Sequence, residues 1–364
     1  MAWTNYQKFL AVMMVVTGSI NSLSTKWADK MEAEGSDGQI RYFEHPFLQA
    51  AAMFIGEILC LITFKLIHWW NRSSHLVQGS QEFNPWILMP AAMFDLVGTS
   101  IMYVGLSLTY VSSFQMFRGS VIIFVAALST VLLDKIILKR EWLGIVNVLL
   151  GLVVVGVTDF VYKSDTDKGP NSVITGDLLI ILAQVVTSCQ MVYEEKYVKD
   201  LNIPPLQAVG WEGVFGFSVL SVLLVIFYWV PAPPHFDHNA RGTVEDVVDG
   251  LVQIGNNSLL LLAILGTIVS IAFFNFAGIS VTKEMSATTR MVLDSVRTFV
   301  IWMVSLAVLW QRFHWQHLIG FFVLILGMCM YNGIIPKCLN RLQPDQTSDT
   351  SEESWMEEAT DEET

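Results

Sequence analysis

Charged side chains are scarce in this sequence, making up 15% of its 364 residues, against about 25% in a soluble globular domain. That shortage excludes an ordinary water-soluble globule, and no nucleic-acid partner is expected from a chain that lacks a basic face. Cysteines are few, and none is set for a disulfide or a metal. Cys60, Cys189 and Cys329 lie inside apolar runs, Cys338 just past the last one, and no CxxC or His-rich spacing occurs. We read them as packing residues, with no metal and no cofactor. Positive charge is missing from the C-terminal end. Nine acids and no Lys or Arg fall between Asp345 and Glu363, so the net charge of −12 reduces to −3 without them. The tail, residues 337–364, reads as a solvated, disordered cytosolic appendage.

What is present is apolar: 53% of the residues are hydrophobic and the mean hydropathy is +0.51. Crossing about 30 Å of hydrocarbon takes about 20 helical residues, and helices leave no backbone group unpaired in lipid. The apolar runs predict spans near 6–26, 47–67, 86–108, 112–133, 142–162, 174–196, 206–230, 258–281, 287–309 and 315–336. The run Phe9 to Ile20 continues into Ser22, Leu23 and Ser24 without an A-x-A-like end, so it reads as an uncleaved first span rather than a signal peptide. Breakers fall between spans, at His45-Pro46, Asn84-Pro85, Gly169-Pro170, Pro204-Pro205, Pro231 to Pro234 and Pro336. The expected fold class is an all-α integral membrane protein with the lipid bilayer as its solvent. Ten crossings put both termini on one side. That side holds eleven Lys and Arg against seven on the other, which favours the cytosol.

The halves look related. Trp142, Gly144 and Gly151 open span five, and Leu318, Gly320 and Gly327 open span ten, with both glycine pairs offset by 176 residues. An odd unit of five spans, repeated once, inserts the second time upside down and places a site near the midplane. The divisions are then 1–165, 166–336 and the tail. Glycine pairs seven apart are also common packing faces in membrane helices.

Charges at membrane depth are costly, so they are paired, face water or serve function. The candidates for substrate binding or coupling are Glu57, Asp95, Gln115, Arg118, Glu212, Asn275, Arg290, Asp294 and Arg297. Arg290, Asp294 and Arg297 share one helix face, so Asp294 can pair with either arginine. Guanidinium forks suit phosphate or carboxylate, and a desolvated carboxylate can carry a proton. A static network of buried acids and bases is the bland alternative. Asn275 fits solute binding or helix glue equally. Asp134, Lys135, Glu194, Glu195 and Lys196, at span ends, read as solvated caps.

The stretches Thr17 to Asn21, Lys26 to Asp29, Ser112 to Met116 with Arg118-Gly119, Ile174 to Ile180 and above all Phe274 to Ser295 carry a family resemblance. The sequence resembles the drug/metabolite transporter superfamily and, within it, solute carrier family 35, whose carriers are nucleotide-sugar-transporter-like. The resemblance spans roughly 1–336 and implies ten helices in two inverted five-helix repeats. It also implies an endomembrane carrier, the lysosomal membrane ahead of the mitochondrion, and leaves room for a homodimer or a partner in either membrane. It supplies no substrate. The expected function is a secondary transporter of a small polar, anionic metabolite by alternating access. The alternative is a non-transporting membrane protein that acts through partners. An intramembrane enzyme is disfavoured, because no HExxH or GxGD-type motif occurs and no DxxxD falls within an apolar span.

Overall fold

The computed structural model describes residues 3–71, 77, 79, 83–108, 117–162, 170–232, 241–308 and 315–331. Among them are eleven α-helices: α1 (Asn5–Asp29), α2 (Pro46–Trp70), α3 (Met89–Leu108), α4 (Val121–Leu132), α5 (Lys139–Tyr162), α6 (Pro170–Asp200), α7 (Pro205–Phe227), α8 (Val247–Asn256), α9 (Ser258–Glu284), α10 (Ala287–Ala307) and α11 (Trp315–Tyr331). Local chemistry sets their starts. Thr4 and Gln7 form a capping box at α1, and Pro46 and Pro205 take first-turn positions where a missing N–H costs nothing. Asn257 and Ser286 accept the first free N–H groups of α9 and α10.

A helix overlaps every expected span. Five stretches are long and apolar enough to cross a bilayer: Pro46–Trp70, Pro85–Leu106, Ile174–Asp200, Pro205–Phe227 and Ser258–Glu284. Val121–Leu132 and Leu318–Tyr331 are apolar but shorter. Bulky apolar side chains such as Phe9, Val12, Val222, Val225 and Phe322 point outward and exposed. In water that belt would be a liability; in hydrocarbon it is the solvated surface.

Outside the spans, the segment 28–46 holds a two-stranded antiparallel hairpin, β1 (Glu32–Glu34) and β2 (Ile40–Tyr42), in register Glu32↔Tyr42, Ala33↔Arg41 and Glu34↔Ile40. Three-residue strands carry too little alternation to register as a pattern. The segment 231–257 contains α8.

The most extensive helix contacts are α5 with α11, α1 with α9, α3 with α6 and α2 with α7, and α4 also packs on α10. The glycines seven apart form the α5–α11 contact itself. A Cβ on Gly144 would lie 2.6 Å from the backbone nitrogen of Tyr331, one on Gly151 2.6 Å from the carbonyl oxygen of Gly320, and one on Gly327 2.6 Å from the nitrogen of Val148. Small residues thus let backbones meet where lipid supplies no hydrophobic drive. Ile122, Val148, Met291, Trp302 and Phe321 fill a core between α4, α5, α10 and α11.

Candidate functional site

The polar interior begins where α2 and α7 touch. A Cβ on Gly213 would lie 2.9 Å from the backbone nitrogen of Ile58, so α7 runs directly against α2 beside Glu57. Glu57 on α2 and Glu212 on α7 are both buried. Asn275, midway along α9, donates from Nδ2 to Oε1 of Glu57 at 2.5 Å. Asp95 on α3 interacts electrostatically with Glu57, and all three acids do so with Glu194 and Arg290.

Glu194 and Arg290 close this group. Arg290 is in the first turn of α10, and its Nη1 donates to Oε2 of Glu194 on α6 at 2.6 Å. The other carboxylate oxygen accepts from Nε2 of Gln190, one turn back on α6, at 2.9 Å. Glu194 is 1% exposed and Arg290 4%. Gly278 of α9 leaves room for the guanidinium: a Cβ there would lie 2.8 Å from Nε of Arg290. Glu194 thus contacts the guanidinium directly, and Glu57, Asp95 and Glu212 lie within its electrostatic reach. Oε1 of Glu212, Oε1 of Gln190 and Nε of Arg290 have no hydrogen-bond partner among the described residues. Buried polar atoms left so are costly unless a proton, water or solute meets them.

A second, more basic group lies farther along α10. Nη2 of Arg297 approaches Oδ1 of Asp294 at 3.0 Å, and its guanidinium sits 4.9 Å above the ring of Phe274. Arg118, half-buried ahead of α4, interacts electrostatically with Arg297. Asp294 pairs with Arg297 while Arg290 turns to Glu194, which resolves the choice that the shared helix face left open. Gln115 lies outside the described residues.

Near the α6 C-terminus a third set ties elements together. Glu195 accepts from Nζ of Lys199 at 2.7 Å and from the Ala287 N–H at 3.0 Å, with Nζ of Lys135 at 3.5 Å. Lys199 also donates to the Met285 carbonyl at 2.8 Å. Burial pushes the Lys135 ammonium below its usual value, and Glu195 pulls it back. The solvated-cap expectation is thereby corrected for Glu194 and Glu195, which are buried, and holds for exposed Asp134 and Lys196.

The profile of solute carrier family 35 matches residues 11–229, and that of the EamA-like transporter family matches 174–333. Human solute carrier family 35 member F6 is 53% identical over 345 residues, covering 94% of this chain and 93% of that protein. The chain belongs to solute carrier family 35. The rat member F6 is 52% identical over 98% of this chain and 97% of its own length, and an uncharacterized protein of Schizosaccharomyces pombe is 32% identical over 90% and 97%. A solved crystal structure superposes with a TM-score of 0.63 at 14% identity, covering 90% of this chain and 98% of that one. That match speaks for the fold alone.

Within this family 35 protein the residues that sequence reasoning missed are Glu194 and its partner Gln190. The expected span ended at 196, which put Glu194 at a rim. The helix instead runs to Asp200 and stops at Asn202, whose φ is +47°. Asn at a left-handed stop followed by Pro204-Pro205 is a recognisable terminus, and reading it there would have set Glu194 inside the helix.

Proposed function

We propose that this membrane solute carrier is a secondary transporter that moves a small polar, anionic solute by alternating access, coupled to protons. The observation that carries the reading is the surplus of carboxylates, buried Glu57, Glu194 and Glu212 with half-buried Asp95, around the guanidinium of Arg290. Such a group cannot hold every charge at once in a low-dielectric interior, so it exchanges protons with whichever side it faces. The neighbouring Arg118, Asp294 and Arg297 group carries a net positive charge, and its guanidinium forks match a phosphate or carboxylate. Family membership supports carriage of a solute, which the proposal narrows to this class.

The two halves, 1–165 and 166–336, act in this reading as inverted five-helix repeats of a ten-span bundle. Pairing supports it. Counting spans without α8, the contacts include first with eighth and third with sixth, second with seventh, fourth with ninth, fifth with tenth, first with ninth and fourth with sixth, and second with eighth and third with seventh. That set is unchanged when each span is exchanged for the one five places on. Alternating access then rocks one repeat against the other around the charged groups. We place both termini in the cytosol and the chain in an endomembrane, the lysosomal membrane first.

The test is a screen of small anions and other metabolites for thermal stabilisation of the purified chain, since a ligand of the native state raises its stability by mass action. Flux of each stabilising compound into proteoliposomes follows. Arg118→Ala and Asp294→Ala are expected to abolish flux in correctly inserted protein, and Glu57→Gln and Glu212→Gln to turn pH-driven accumulation into pH-independent exchange. Unchanged flux in the first pair removes them from the site, and an unchanged pH profile in the second pair overturns the coupling.

A further inference from the structure

Helix α8 has its polarity reversed for a helix facing water. Asp249 and Gln253 are each 1% exposed, while Val248 and Leu251 are 51% and 56% exposed. Its polar face is consumed by the rest of the protein. Oδ1 of Asp249 accepts from the Ser36 N–H at 2.6 Å and from the Ser36 hydroxyl at 2.8 Å, and Nη2 of Arg41 approaches it at 3.4 Å. Asn256 and Asn257 donate to the carbonyls of Glu34 and Glu32, at 2.9 and 3.1 Å. Just ahead of the helix, buried Glu245 accepts from the Phe47 N–H at 2.9 Å, and its other oxygen lies 2.6 Å from Nδ1 of His45. The hairpin and the start of α2 therefore sit on the hydrophilic side of α8, and the apolar side is left outward.

Chain continuity says what that side meets. Residue 257 alone separates α8 from α9, and α7 ends at Phe227; both neighbours are apolar enough to cross a bilayer. Trp229, 74% exposed, stands just past α7, at the depth where an indole straddles the membrane boundary. Leu259, in the first turn of α9, is exposed as well.

We propose that α8 lies in the plane of the membrane, with Val248 and Leu251 sunk into the boundary between lipid headgroups and acyl chains, and that the α1–α2 hairpin rides on its inner face. The partner is the bilayer itself. A short helix with an apolar face of this kind gains from burial in that layer, about 5–10 Å below the headgroups, and here its other face is already paired. The α1–α2 connection is thereby tied through α8 to the membrane plane and not left free in solvent.

Spin labels at Val248→Cys, Leu251→Cys and Gly255→Cys, in a full-length background with the four native cysteines replaced, test this in phosphatidylcholine vesicles. A Cβ at Gly255 meets nothing within 4 Å, so that label does not disturb packing. The labels at 248 and 251 are expected to collide more with dissolved oxygen than with a water-soluble nickel chelate. A control label at Asp37→Cys on the hairpin shows the reverse order. On the unmodified chain, a phosphatidylcholine bearing a photoreactive acyl chain is expected to label peptides of 247–256. Chelate access at 248 and 251 equal to that at 37, without acyl cross-links, overturns the proposal. So does spin–spin broadening between labels on two copies, which would make the face a contact between chains.

Discussion

The Arg290–Glu194 pair sets a quantitative test of the buried network. It is a 2.6 Å contact across α6 and α10, with both partners almost wholly buried. Breaking a buried pair by removing one partner costs about 3–5 kcal/mol, because it strands the other charge. The structure ranks the two deletions. Glu194→Gln leaves Arg290 within electrostatic reach of Glu57, Asp95 and Glu212, so its loss falls at the lower end, about 3 kcal/mol. Arg290→Gln removes the guanidinium those carboxylates share, so its loss reaches the upper end, about 5 kcal/mol. The double variant presents two amides that bond each other, and a coupling of about 2 kcal/mol is expected. Unfolding in mixed micelles, followed by tryptophan fluorescence, measures all three. Single losses that add to within about 0.5 kcal/mol would refute the network.

Two further outcomes probe packing and the membrane-plane helix. Gly327→Val pushes a side chain into the backbone of Val148 and is expected to destabilise by about 1–3 kcal/mol, whereas Gly255→Ala, with open space before it, is expected to be neutral or slightly stabilising in the same assay. Burial pushes the Asp249 carboxyl up, but the Ser36 N–H and hydroxyl, Arg41 and His45 together hold it below the usual carboxylate range. A carboxyl so lowered adds stability above its unfolded value near about 3.9 and loses it as pH falls through the folded value. Hydrogen exchange over residues 36–42 is therefore expected to stay slow at pH 5 and to quicken only below about pH 4; opening at pH 5–6 would contradict the contact.

Much of this molecule follows from one-dimensional chemistry. Apolar runs, several of them bounded by prolines, place most of the helices to within a few residues, because in lipid the backbone must bond to itself and a span needs a minimum length. The intramembrane charges are just as legible, since an ionised side chain in an apolar run stands out against its neighbours. Their partners are not. Arg290, Asp294 and Arg297 share a face by periodicity, yet whether Asp294 meets the first or the second arginine depends on what α6 presents opposite, and α6 presents Glu194. That acid looked like a rim residue until its helix was seen to run on to Asp200.

The segments 28–46 and 231–257, which carry more acids than bases, show the same division. Their composition places them outside the membrane, but the hairpin and α8 form through long-range pairs such as Ser36 with Asp249 and His45 with Glu245, about two hundred residues apart in the chain. No local propensity encodes which of several buried carboxylates a given histidine or serine will find. The sequence by itself determined the solvent, the spans and the charges that must be answered inside them. Which charge answers which, and which side of α8 is left to lipid, was decided only when tertiary contacts brought distant helices within hydrogen-bond reach.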